Sequence, residues 1–76
     1  MTESVIRIAF DNIASHISNI DTIKSIVDEI ESENLTTDDI IDTLENKIED
    51  AEVTLRTDIR ILINECRHLE SRMKNR

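Results

Sequence analysis

One cysteine, two histidines and seventeen carboxylates are the groups through which this chain could do chemistry. A nucleophilic thiol needs exposure and a nearby base. Cys66 instead falls on a stripe of apolar residues at helical spacing and reads as a small buried hydrophobe. His68, two residues on, points to a different helix face, so no cysteine–histidine dyad forms locally. His16 lies beside Ile13 and Ile17 at the edge of another apolar stripe. The three residues lack the paired spacing that structural zinc uses. The acidic neighbours Asp28–Glu29, Asp38–Asp39 and Glu49–Asp50 diverge on a helix and cannot converge on one substrate or ion. No EF-hand pattern is present, since the aspartate-rich stretch lacks glycine and alternating ligands. The expectation is a protein that is not an enzyme and carries no metal or cofactor.

The elements that would position these groups are helices. The chain has 76 residues and contains neither glycine nor proline. Tight β-turns and phosphate-cradling loops depend on glycine, which alone reaches positive φ without steric cost. Isoleucine is abundant and favours strands weakly, but the apolar periodicity overrides it. Phe10 is the only aromatic residue, which removes base-stacking platforms and aromatic cages. Apolar runs reach only two or three residues, so neither a membrane span nor a signal-peptide core is expected. A lone cysteine fits a reducing compartment, the cytoplasm of a cell or of an infected host. Residue usage rich in Ile, Asn, Asp and Glu suggests an AT-rich coding genome, and with the small size a viral or phage origin.

In the first half, Ile6, Phe10, Ile13, Ile17, Ile20, Ile23, Val27 and Ile30 recur at steps of three and four. With Thr2 as cap, they predict one helix over about 3–32. Asn34 can end a helix in the left-handed conformation where glycine is missing. Thr36 then caps the next helix, with Asp39 three residues on and Leu35 and Ile40 as a hydrophobic staple. Asp38 and Asp39 suit the positive end of the helix dipole. The turn is placed at about 33–36. A second helix over about 37–75 carries Ile41, Leu44, Ile48, Ala51, Leu55, Ile59, Leu62, Cys66, Leu69 and Met73, with one four-residue stutter at Leu55–Ile59.

The predicted fold is therefore all-α, a single domain over 1–76 built as an antiparallel two-helix coiled-coil hairpin that dimerises into a four-helix bundle. At 1.5 Å per residue the two rods are roughly 45 and 58 Å long. Antiparallel partners then have residue numbers summing to about 69, which sets Phe10 beside Ile59 and Ile6 beside Leu62. The longer rod leaves an apolar overhang, Leu62, Cys66, Leu69 and Met73, that needs a partner. Isoleucines off the seam (Ile8, Ile26, Ile40, Ile61 and Ile63) point the same way, since burying each is worth ~1.5–3 kcal/mol.

Charge suggests what else the chain could recognise. Residues 21–52 hold twelve acids against Lys24 and Lys47, a net −10, within a whole-chain charge of −8. Residues 53–76 hold six bases against Asp58, Glu65 and Glu70, a net +3. An acidic patch of Glu31, Glu33, Asp38, Asp39 and Asp42 stands against a basic tail of Arg67, Arg72, Lys74 and Arg76. The leading expectation is an oligomerising protein-interaction module (an assembly factor, small chaperone or regulator), self-associating as a dimer and able to bind another protein. The alternative is an acidic nucleic-acid mimic that occupies a DNA- or RNA-binding protein. Third is a nucleic-acid-binding bundle using the basic helix, which the net negative charge disfavours. The plainest account of the charges is solvated helix faces.

Overall fold

A computed structural model describes the backbone of residues 4–74 and the side chains of residues 4–72. The chain is all-helical, with no strand among the described residues. Helix α1 spans Val5–Ile13, a single 3-10 turn follows at Ala14–His16, and α2 spans Ile20–Ser32. Helix α3 spans Thr37–Asp50 and α4 spans Val53–Lys74. Each rod expected from the sequence is thus divided in two. The domain measures 37 × 24 × 22 Å, shorter than either expected rod.

The central turn forms as its residues dictate. Asn34 adopts φ 53°, the left-handed region, where its amide side chain is better tolerated than most. The backbone N–H of Glu33 donates to the Ile30 carbonyl at 3.0 Å and that of Asn34 to the Glu31 carbonyl at 3.3 Å. Thr36 is extended, and its hydroxyl accepts from the Asp39 N–H at 3.2 Å. Ile40 is buried and Leu35 packs half-buried on the same core. At the other end of the domain, the predicted cap Thr2 lies outside the described residues. Ser4 caps α1, its hydroxyl accepting from the Arg7 N–H at 3.2 Å.

The first expected rod breaks where Ser15, Ser18 and Asn19 offer side chains that compete with helical backbone bonds. Ile17 is extended (φ −113°, ψ 155°), and the chain reverses. Ile17 and Ile23 are buried while Ile20, between them, is 44% exposed, so the apparently continuous stripe belongs to two helices. Helix α2 runs back along α1. Arg7, near the start of α1, contacts Asp28 and Glu31, near the end of α2.

The second rod breaks at Ala51, which is extended (φ −91°, ψ 152°). Glu49 and Asp50 sit at the C-terminal end of α3, where the dipole disfavours acids. The Arg56 Nε donates to the Ala51 carbonyl at 2.8 Å and helps close the turn. Helix α4 then returns along α3, and an Arg67–Glu45 ion pair at 2.9 Å joins residues 22 apart.

The outcome is a four-helix domain in which α4 packs against both α1 and α3, and α1 also against α2. Between α1 and α4, Asn12 Nδ2 donates to Glu65 Oε2 at 2.9 Å. Lys47 pairs with Glu29 at 3.4 Å between α3 and α2. Partner numbers sum to 76 or 77 at these contacts, about one heptad beyond the expected register. All four helices feed one core, with Ile6, Phe10, Ile23, Val27, Ile30, Leu44, Ile59 and Leu62 among its buried members.

This folding back corrects the overhang. Leu62 and Cys66 are fully buried within the one chain, and Leu69 packs half-buried on the same core. The Met73 side chain lies outside those described. Of the off-seam isoleucines, Ile40 and Ile63 are buried, and Ile8, Ile26 and Ile61 are half-buried. Four helices in one chain recover the apolar burial that two straight rods would require from a partner.

Candidate interaction surfaces

Cys66 has no exposed surface, and burial, with the nearby Glu65 charge, pushes its thiol up to about 12. It therefore stays a neutral thiol at physiological pH and lacks the thiolate that attack or metal binding requires. His16 and His68 are both exposed, one on the 3-10 turn and one on α4. No group of three or more His, Cys, Asp or Glu among the described residues could hold a metal ion. No described helix is long and apolar enough to cross a membrane.

One buried acid carries no clear mark in the sequence. Asp58, on α4, is only 3% exposed. Its carboxylate accepts from the Ser18 N–H (3.2 Å to each oxygen), from the Asn19 N–H at 2.7 Å and from Asn19 Nδ2 at 2.9 Å. Asn19 precedes the first residue of α2 and makes no cap bond of its own with its side chain. Asp58 thus satisfies from another helix the N-cap N–H of α2, the donor that a capping-box side chain at the third helical position satisfies locally, and the N–H before it. The role is structural. Its only sequence signal is an acid next to core residue Ile59, which a surface aspartate also shows.

The acidic patch divides. Glu31 is engaged within the chain: it accepts from Arg7 Nη2 at 2.8 Å, Arg7 Nε at 3.4 Å and Ser4 Oγ at 2.7 Å. The Arg7 guanidinium foremost, then the Ser4 hydroxyl, holds the Glu31 carboxyl below its usual range. Glu31, ahead of Asp28, in turn raises the affinity of Arg7 for its proton. Glu33, Asp38, Asp39 and Asp42 are exposed and have no cationic partner among the described residues. They lie at the α2–α3 turn and on the first two turns of α3.

Helix α4 is sorted the other way. Its described exposed ionic residues are Arg56, Arg60, Arg67 and Arg72, joined by His68. Its acids are withdrawn: Asp58 is buried, and Glu65 and Glu70 are half-buried. Of the expected basic tail, Arg67 pairs with Glu45 and Arg72 is exposed, while Arg76 and the Lys74 side chain lie outside the described parts. Between α3 and α4 runs a groove lined by Glu45, Ile48, Arg60, Ile63, Asn64 and Arg67. Comparisons with protein families, with curated proteins and with solved structures find no match to this chain.

Proposed function

We propose that this protein is a non-enzymatic interaction module whose acidic α2–α3 end docks on a cationic, nucleic-acid-binding surface of another protein. The observation that carries the reading is the set of exposed carboxylates, Glu33, Asp38, Asp39 and Asp42, with no cationic partner among the described residues. Asp38 and Asp39 also stabilise the start of α3 through its dipole, a contribution that leaves their oxygens open to solvent. With a net charge of −8, the chain steers toward cationic partners and away from polyanions. The rod-end apolar overhang no longer supports an assembly role, because Leu62 and Cys66 are covered in cis. A reducing, cytoplasmic setting goes with the unpaired cysteine.

The cationic row on α4 favours a second reading, binding to nucleic-acid phosphates. The net charge of the whole chain opposes it.

Affinity capture from the source cell or its host, with wild type and a Glu33→Gln, Asp38→Asn, Asp39→Asn variant, tests the proposal. Circular dichroism confirms that the variant folds. The docked protein is expected to be a nucleic-acid binder that the variant no longer retains. It should also release as salt rises from about 0.1 to about 1 M, which shortens the screening length from ~10 to ~3 Å. Retention by the variant or through high salt would overturn the reading. Retardation of labelled duplex or single-stranded oligonucleotides by the protein alone would favour the phosphate-binding alternative.

A further inference from the structure

Helices α3 and α4 are antiparallel neighbours that share one lateral face, with the groove between them. On the α3 side, Asp42, Glu45 and Glu49 follow at steps of three and four, one stripe of exposed carboxylates. On the α4 side, Arg60 and Arg67 stand seven residues apart, with exposed Asn64 between them. Asp42–Glu49 and Arg60–Arg67 therefore cover the same axial distance, roughly 10.5 Å. The Arg67–Glu45 ion pair at 2.9 Å shows that side chains of the two rows reach each other across the groove. Its lining includes apolar Ile48, half-buried, and Ile63, 4% exposed.

A face with an acidic row beside a basic row of equal length is complementary to itself. We infer that the α3–α4 face is a docking surface for a second copy of this chain, in a two-fold dimer. The charge pattern selects the axis. A two-fold axis in the interface and parallel to the helices lays α3 of each copy on α4 of the other, acid on base twice over. An in-plane axis across the helices would set α3 on α3 and α4 on α4, like charge on like. That arrangement is excluded by repulsion. The favoured axis also keeps both α2–α3 turns at the same end, so the dimer presents two acidic turns side by side. Such a dimer forms without any other partner. Unlike an overhang dimer, the pair uses charged rows on the side of the domain, while the apolar core stays closed in each copy.

Each chain carries a net −8, so distant repulsion opposes pairing and must be screened while the contacting rows stay attractive. At ~0.15 M salt the screening length is ~8 Å, which meets that condition. Sedimentation equilibrium at that salt is the test. Wild type is expected to dimerise. A variant with Asp42→Lys and Glu49→Lys makes the α3 row net basic, with Glu45 still paired to Arg67, and one with Arg60→Glu and Arg67→Glu has two acidic rows. Each should be monomeric alone, and an equimolar mixture should form a heterodimer, since every row then meets its opposite. Arg60→Glu alone, which leaves the Arg67–Glu45 pair intact, should weaken wild-type dimerisation about tenfold or more, because the two-fold repeats its effect. Arg60→Lys should preserve the dimer. Helical circular dichroism verifies folding of each variant. A monomeric wild type, variants that dimerise alone, or a mixture of folded variants that stays monomeric would overturn the inference.

Discussion

The turn at residues 33–36 and the turn at 51–52 both reverse the chain between helices, yet they are specified differently. The first is written in adjacent residues: Asn34 takes the left-handed conformation, Thr36 caps α3, and Asp38 and Asp39 occupy its first turn. The second has no residue suited to positive φ, and acids Glu49 and Asp50 stand where a helix end favours bases. It is held by Arg56 reaching the Ala51 carbonyl and by burial of Ile59 and Leu62 farther along α4. The α1–α2 junction is an extreme of this second kind, since Ser18 and Asn19 are fixed by Asp58, about forty residues away. A turn closed by its own residues announces itself, whereas one closed from a distance looks like uninterrupted helix.

Four measurements would break or sharpen this contrast. Leu62→Ala has the largest expected effect, a loss of ~2–5 kcal/mol in denaturant unfolding, because Leu62 is a fully buried member of a closed core. The difference from wild type should be the same at every protein concentration. A loss that grows on dilution would put Leu62 back in an intermolecular contact. Asp58→Ala should cost ~3 kcal/mol, since it strands the Ser18 and Asn19 N–H donors. Adding Asn19→Ala to it should cost less than Asn19→Ala in wild type, the coupling expected of direct partners. Simple additivity would mean that α4 does not hold the α1–α2 junction.

Thr36→Ala should cost ~1 kcal/mol, the usual value of a lost N-cap. Its effect should add to that of Asp58→Ala, as expected if the central turn is local. Non-additive losses would erase the distinction between the two kinds of turn. The smallest effect concerns Glu31. Its folded-state pKa is depressed, so its contribution is present above its ordinary value of 4.5 and fades as pH falls through the folded value. Wild type should therefore exceed Glu31→Gln in stability at pH 7, and the gap should narrow below pH 4.5. The pair with Arg7 is partly solvated, so the gap at neutral pH should be at most about 1 kcal/mol. A gap that is constant from pH 7 to pH 3 would assign the contact to packing instead of charge.

The same contrast explains which features were legible. The helical class followed from apolar spacing and from the lack of glycine and proline. The four-residue steps from Ala51 through Leu55 to Ile59 read as a coiled-coil stutter, yet they mark the approach to a chain reversal. The equally spaced Ile17, Ile20 and Ile23 concealed another, because only the fold exposes Ile20. The charge asymmetry along the chain was visible, but not its sorting into an acidic α3 face and a basic α4 face. That sorting depends on which α4 acids turn inward, and Asp58 does so only because Ser18 and Asn19 come to meet it.

By itself, the sequence determined the helical character of the chain, the central turn with its Asn34 and Thr36, and the acidic middle beside a basic end. These properties depend on residues within about one or two helical turns of each other, where propensity, capping and dipole effects operate. The tertiary structure alone decided that each rod folds back on itself and that Leu62 and Cys66 close inside a single chain. It also withdrew Glu31 into a pair with Arg7. Those outcomes rest on contacts between residues more than twenty positions apart, and their free energy exists only when all four helices are packed together.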